Sequence, residues 1–383
     1  MKVLFIQDSD DKYGSSQSLR ELLTTLKTEY DVTPIVITSK KNKLNEFCDC
    51  NCIENYVTYH QRHTYINSGN VIIDVVKNSL RYLRYVVGKN ISDLLINKLI
   101  DFREINIIHS NISAVDVGIR LSKKYGVKHV MHLREFGELD FGMKSFYGKN
   151  YLLYFSKYVD QYIAISEAIK DYYLNRGIPE EKIRVIYNGI TLKTIKEKTK
   201  TEQNNSFRLI MSGTISEAKG QLECVNAVNY LHNKGIDVFL DIFGSGYDRY
   251  LQEIRNKITI NHLEDLVKIK GYDEKLREKI SNYDCGIICS KSEGFGRVTV
   301  EYMATGLPVI ASNTGANIEI IHDGVNGYLY EYGNYENLAE KIVLLKKRND
   351  KENMGNAAKE LVKSKFTTHT NGRKIFELYR ELV

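Results

Sequence analysis

One rhythm occurs twice along this chain, with a polar stretch between. In the first half short apolar runs recur between longer amphipathic segments: VLFI at 3–6, VTPIVIT at 32–38, INIIHS at 105–110, VKHVMHL at 127–133, YIAIS at 162–166 and IRVIY at 183–187. Strands buried on both faces of a parallel sheet read as such runs, and the intervals leave room for crossover helices. The segment LKTIKEKTKTEQNNS then carries charge without apolar period, which marks residues 193–206 as a linker. Beyond it the rhythm restarts with FRLIMS at 207–212, VFLDIF at 238–243, LVKIK at 266–270, CGIICS at 285–290 and LPVIAS at 307–312. The expected fold class is α/β, with two doubly wound, Rossmann-like parallel-sheet domains, 1–192 and 207–365, facing a cleft. The 383 residues exceed what one core usually supports, which agrees with two domains. Segments near 335–349, 351–365 and 368–382 read as helices, and a C-terminal helix over 366–383 is a candidate to pack back on the first domain.

Several classes of protein are excluded early. No apolar run approaches the roughly 20 residues that span a bilayer. The start MKVLFIQDSDD reaches acids before it could form the apolar region of a secretory signal, so the cytoplasm is the expected compartment. The six cysteines read as reduced thiols. Cys48, Cys50 and Cys52 alternate ahead of His60 and His63 without a usual zinc spacing, leaving a metal site or a plain loop or strand. Residues 1–200 hold 30 basic against 23 acidic side chains, and the rest 24 against 25. An excess so diffuse is no nucleic-acid footprint; it suits an anionic substrate or an anionic membrane surface.

In open parallel sheets ligands bind beyond the carboxyl ends of the strands. That rule selects the loops at 8–16, 132–137, 188–189, 213–220, 244–246, 271–272, 290–296 and 313–316, which are rich in glycine and so suit phosphates and sugars approached by backbone amides. Within EGFGRVTVEYMATGLPVIAS, Glu293 falls on a loop and Glu301 in the helix that follows. Eight helical residues would separate two side chains by about 12 Å along the axis. A hydrolytic carboxylate pair needs roughly 5 to 9.5 Å. The two glutamates therefore suit two parts of one extended ligand. Gly294 and Gly296 expose amides at the positive end of the helix and Arg297 adds a fixed charge, together a phosphate site.

The segment S-x-x-E-G-F-G-x-x-x-x-E-x-M-A-x-G-x-P-V-I-A resembles the signature of the retaining family 4 glycosyltransferases (glycosyl transferase group 1), which have the two-domain GT-B fold. GTISEAKGQLECVNAV at 213–228, VIYNGI at 185–190 and YIAISEAIKDYY at 162–173 are similar to other parts of that family. The resemblance implies an N-terminal acceptor-side domain and a C-terminal domain that binds a nucleoside diphosphate sugar. It implies that Lys219 and a basic partner hold the diphosphate, Glu301 the ribose and Glu293 the donor sugar, with amides of Phe295, Gly296, Arg297 and Val298 on phosphate oxygens. Asn188, Gly213, Gly244, Gly294 and Tyr272 join them as donor-side candidates. The family commonly has an arginine where Thr214 stands, and Arg297 is the candidate replacement for that charge. Gly14, Ser15 and Ser16 resemble the small-residue loop that faces donor phosphate and acceptor, although the usual paired glycines are missing. Glu135 and Asp140 are further acceptor-side candidates, against the plain reading of solvated loop acids. His132 is either the family's histidine near the transferring sugar or a structural histidine at a strand end.

The implied reaction is glycosyl transfer with retention, from a UDP- or GDP-linked sugar to an acceptor hydroxyl, in cell-surface polysaccharide or glycoconjugate synthesis. Lys219, Arg297 and the helix terminus stabilise the leaving diphosphate. His132, Lys219, Glu293 and Arg297 form the implied catalytic set, with neither metal nor cofactor expected. A saccharide or lipid-linked saccharide is the expected acceptor. Residues 73–100 mix Val, Leu, Ile and Tyr with Lys and Arg, which leaves open a core-facing helix pair or a helix lying on the inner face of the cell membrane. A nucleotide-sugar epimerase or hydrolase, or a non-enzymatic binding protein, would share most of these features. A nicotinamide dehydrogenase would not, because IQDSDDKYGSS lacks G-x-G-x-x-G.

Overall fold

A computed structural model describes residues 1–8, 14–192, 206–246 and 248–383. The expected linker, 193–206, lies outside them except for Ser206. The chain forms two compact units, Met1–Gly189 with Thr368–Val383, and Ile190–Thr367.

The first unit contains strands β1 (Lys2–Gln7), β2 (Thr33–Thr38), β3 (Glu54–Val57), β4 (Thr64–Ile66), β5 (Ile107–Ser110), β6 (Lys128–Leu133), β7 (Met143–Ser145), β8 (Gln161–Ala164) and β9 (Ile183–Val185). Between them run α1 (Gly14–Glu29), α2 (Lys43–Cys50), α3 (Val71–Leu99), α4 (Val117–Tyr125), α5 (Glu138–Phe141), α6 (Tyr151–Phe155) and α7 (Glu167–Leu174). Seven strands make one sheet in the order β3-β2-β1-β5-β6-β8-β9, all parallel, while β4 and β7 pair antiparallel apart from it. The run VLFI is apolar throughout because each face of β1 enters a different core. Val3 and Phe5 join Leu19, Leu22 and Leu23 on one side, and Leu4 and Ile6 join Ile96, Ile100 and Ile108 on the other.

The second unit contains β10 (Arg208–Ser212), β11 (Phe239–Phe243), β12 (Val267–Gly271), β13 (Cys285–Ile288), β14 (Val309–Ser312) and β15 (Gly327–Tyr330). Its helices are α8 (Gln221–His232), α9 (Asp248–Ile260), α10 (Leu276–Lys279), α11 (Arg297–Ala304), α12 (Asn317–Ile320), α13 (Tyr335–Lys347) and α14 (Lys351–Lys365). The sheet order β12-β11-β10-β13-β14-β15 is parallel and reverses direction between β10 and β13. A doubly wound sheet places its ligand at such a reversal. The last helix, α15 (Thr368–Leu382), belongs to the first unit, where Ile375, Leu378 and Tyr379 complete the core on the Val3 and Phe5 face.

Three readings need correction. The expected helix pair over 73–100 is one helix, α3, and most of its residues face outward. The loop or strand expected at Cys48 and Cys50 is the end of α2: Cys48 is buried, and Cys50 and Cys52 are exposed. His60 and His63 are buried elsewhere, bonded to Thr58 and to Ser145 and the Ser113 carbonyl. Among the described residues no group of three or more Cys, His, Asp or Glu is placed to hold a metal.

Candidate active site

In the second unit the loops leaving β10, β13 and β14 are knitted together by main-chain bonds. The Lys291 N–H donates to the Ala218 carbonyl and the Ala316 N–H to that of Glu293, at 2.9 and 2.8 Å. Thr314 Oγ1 and Ser312 Oγ donate to the Ser290 carbonyl. Two glycines permit this approach. A Cβ at Gly315, where φ is +51°, would stand 2.4 Å from the Glu293 carbonyl oxygen, and one at Gly244 would stand 1.8 Å from that of Gly213. Gly213 itself donates to the Phe243 carbonyl. The β14 loop is thus anchored directly to the Glu293 main chain.

Glu293 is held from three directions. Lys219 Nζ donates to Oε2 at 2.7 Å, Ser290 Oγ donates to the same oxygen at 2.9 Å, and the Gly296 N–H donates to Oε1 at 3.2 Å. Burial would raise its pKa, but the Lys219 charge and these three bonds outweigh burial and hold the carboxyl below its ordinary value. Lys219, expected on a diphosphate, and Glu293, expected on a sugar, are joined as an ion pair. Gly296 takes a left-handed conformation and opens α11 with no side-chain cap, so the helix terminus keeps its positive end for a ligand. Phe295 is buried against Phe366, Gly294 lies in the turn ahead of it, and Val298 sits half-buried in the first turn of α11.

Glu301, one turn further along, is held by two arginines. Arg297 Nε donates to its Oε1 at 3.0 Å and Arg277 Nη2 at 2.6 Å. Arg277, in α10, was not singled out from sequence; no pattern marks a lone arginine in so short a helix. Thr214 offers only its carbonyl, which accepts from Gln221 Nε2. Tyr272 is 74% exposed after β12.

The first unit has its own reversal, between β1 and β5. Asn111, just after β5, donates to Gln7 Oε1 at 2.6 Å and to the Ser15 carbonyl at 3.3 Å, and Gln7 Nε2 donates to Ser16 Oγ. Arg134, after β6, donates to Asn111 Oδ1 and to Asn188 Oδ1, each at 2.7 Å. The candidates Ser15, Ser16 and Asn188 are thus joined through Asn111 and Arg134, while Gly14 opens α1 beside them. Neither Asn111 nor Arg134 stands out by local pattern, although Arg134 lies in the strand-end loop 132–137. Ser16 is fully buried.

His132 lies inside β6 with no exposure. His109 Nε2 meets its Nδ1 at 2.6 Å, and His109 Nδ1 is bonded in turn to the Tyr379 hydroxyl from α15. Its Nε2 has no partner among the described residues. Burial, then Arg134 and His109, keep its pKa well below the ordinary histidine value, so the ring is neutral. Glu135 is half-buried, and burial raises its pKa against the pull of Arg62. Asp140 is occupied locally, accepting from the Phe136 N–H.

Two such doubly wound units in one chain define the GT-B fold. A solved structure of Anabaena HepE, in complex with UDP and glucose, superposes with a TM-score of 0.78 over 99% of each chain at 22% identity. The family model for glycosyl transferases group 1 matches residues 193–361, and that for glycosyltransferase family 4 matches 14–194. An uncharacterised glycosyltransferase of Methanocaldococcus jannaschii is 30% identical over 303 residues, covering 78% of this chain and 79% of the relative. The capsular polysaccharide biosynthesis glycosyltransferase CapM of Staphylococcus aureus is 26% identical over 239 residues, 57% of this chain and 60% of CapM. The chain belongs to the family 4 glycosyltransferases.

Proposed function

We propose that this glycosyltransferase moves a sugar from a nucleoside diphosphate sugar, UDP- or GDP-linked, to an acceptor hydroxyl with retention of configuration. The observation that carries the reading is the Lys219–Glu293 pair beside the uncapped start of α11, at the β10/β13 reversal. In the transition state the sugar gains oxocarbenium character while the diphosphate gains negative charge. Lys219, Arg297 and the α11 terminus stabilise that charge, in the part often taken by a metal ion. Glu293 contacts sugar hydroxyls and, through its bond to Lys219, fixes where the ammonium points. Glu301, clamped by Arg277 and Arg297, accepts from ribose hydroxyls. In the first unit the Asn111–Arg134 network positions the Gly14–Ser16 loop, and His132, sealed inside β6, supports Arg134 from within the sheet rather than facing the sugar. HepE's UDP favours uridine for this chain, and the CapM likeness favours cell-surface polysaccharide synthesis. The acceptor is a saccharide or lipid-linked saccharide, met from the cytoplasm at the inner face of the membrane.

The test has two stages. A thermal-shift panel of nucleotides should raise the melting point with one nucleoside diphosphate. The matching nucleotide sugar should then release that diphosphate rapidly only when acceptor is added. Equal release without acceptor identifies a hydrolase, conversion of the nucleotide sugar to an isomer without release identifies an epimerase, and binding without turnover under any acceptor identifies a sensor.

A further inference from the structure

α3 presents its apolar side outward. Along an ideal helix, at about 100° per residue, the inward positions are Asp74, Asn78, Tyr85, Gly88, Ser92 and Ile96. The stripe opposite them, within a sector of about 80°, is Val76, Leu80, Leu83, Val87, Ile91 and Leu94, which are 46–73% exposed. A helix on a soluble domain ordinarily has the reverse arrangement. It cannot simply roll over, because polar bonds fix the inner side. The Tyr85 hydroxyl donates to Asp116 at 2.5 Å, Arg120 ties Asp93 to Asp116, and a Cβ at Gly88 would stand 2.6 Å from Gln61 Cγ.

The charges are sorted as well. Both acids of the helix are used internally: Asp74 accepts from Ser68 Oγ and N–H, each at 2.7 Å, and Asp93 pairs with Arg120. Lys77 and Arg84 lie along one edge of the stripe and Lys98 one turn beyond its C-terminal end, and none of them makes an ion pair among the described residues. An apolar stripe of about 27 Å, at 1.5 Å per residue, edged by unpaired cations fits the boundary between acyl chains and anionic headgroups. A second copy fits poorly, since it would bring the same cations together with no acid to meet them. Among the described residues no helix is long and apolar enough to cross a membrane.

We propose that α3 docks the first unit on an anionic lipid surface, lying in its plane with Val76–Leu94 below the headgroups and Lys77, Arg84 and Lys98 among the phosphates. This deepens the proposed location at the membrane and rests on that reading only for its purpose; the docking itself needs no donor and no turnover. The test is co-sedimentation of the full chain with vesicles of phosphatidylcholine containing phosphatidylglycerol, against pure phosphatidylcholine, at low salt. The wild type should sediment with the anionic vesicles and be released as salt rises. The double variant Leu80→Asp/Leu83→Asp should bind at least about tenfold more weakly, and Lys77→Ala/Arg84→Ala should lose the preference for anionic lipid. These positions are solvent-exposed, so circular dichroism should be unchanged, and the melting-point shift with UDP or GDP should equal that of the wild type. If the UDP and GDP shifts are absent from every form while vesicle binding holds, the donor assignment fails and the docking stands. Absence of wild-type binding at low salt would overturn the proposal. So would undiminished binding by the aspartate variant, or a concentration-dependent dimer in ultracentrifugation that this variant abolishes.

Discussion

A carboxylate held by an ammonium, a hydroxyl and a main-chain amide is costly to disturb, and Glu293 concentrates the residue-scale predictions. Lys219→Ala should lower turnover by about 10²- to 10³-fold, in the range for removing one preorganised charge from a developing anion; acceptor-dependent release of nucleoside diphosphate measures it. The same change removes the partner charge from a half-buried carboxylate. Because the Glu293 pKa is depressed in the folded protein, the stability it contributes is present above its unfolded value near 4.5 and is lost as pH falls through the lower folded value. Lys219→Ala should weaken that acid dependence, visible as a flatter melting curve against pH below 5. Arg297→Ala should weaken donor binding by about tenfold or more, since it takes a cation from the start of α11 and one of two clamps from Glu301. Unchanged binding and turnover would show that Thr214 is not compensated by Arg297.

Elements carry predictions of packing and strain. Gly315→Ala places a side chain in a left-handed turn and against the Glu293 main chain, so it should cost about 1–3 kcal/mol and impair donor binding at the same time. Denaturant unfolding with and without nucleotide separates the two effects. The elements themselves were legible to differing degrees. Strands buried on both faces could be read from sequence because the physics demands unbroken apolar runs, as in VLFI and CGIICS. The missed strands lack that demand: ENYV in β3 is only partly buried, TYI and MKS pair outside the main sheet, and GYLY in β15 opens on a glycine. For α3 the periodic pattern was visible, but periodicity does not say which side faces inward, and Asp74, Tyr85 and Ser92 give no apolar cue to the buried side. The glycine turn before α11 and both glutamates stood out because loop, helix start and spacing are local. The Lys219–Glu293 pair, the Arg277 clamp and the Asn111–Arg134–Asn188 network join residues 74, 24 and 23 to 54 positions apart, and no local rule connects them.

Across the whole molecule, acid sensitivity should be pronounced. His60, His63, His109, His129 and His132 are all buried in the first unit with lowered pKa values, those of His60 and His129 at about 4, burial being the principal cause. The folded unit keeps them neutral while the unfolded chain protonates them below about 6.5. Stability is therefore full above that pH and declines as pH falls towards 4, by up to about 1.4 kcal/mol per pH unit for each histidine. Urea unfolding from pH 7 to 5 should show that decline, and a flat profile would contradict it. The return of α15 to the first unit adds an order in time. Residues 190–367 are contiguous and can close their core as soon as they emerge during synthesis, whereas the unit begun by residue 1 lacks Ile375, Leu378 and Tyr379 until all of that has been made. Domains usually fold in the order of synthesis; here the earlier-made unit should become protease-resistant second, and a fragment ending at residue 189 should stay open where Val3, Phe5 and Leu22 await their cover.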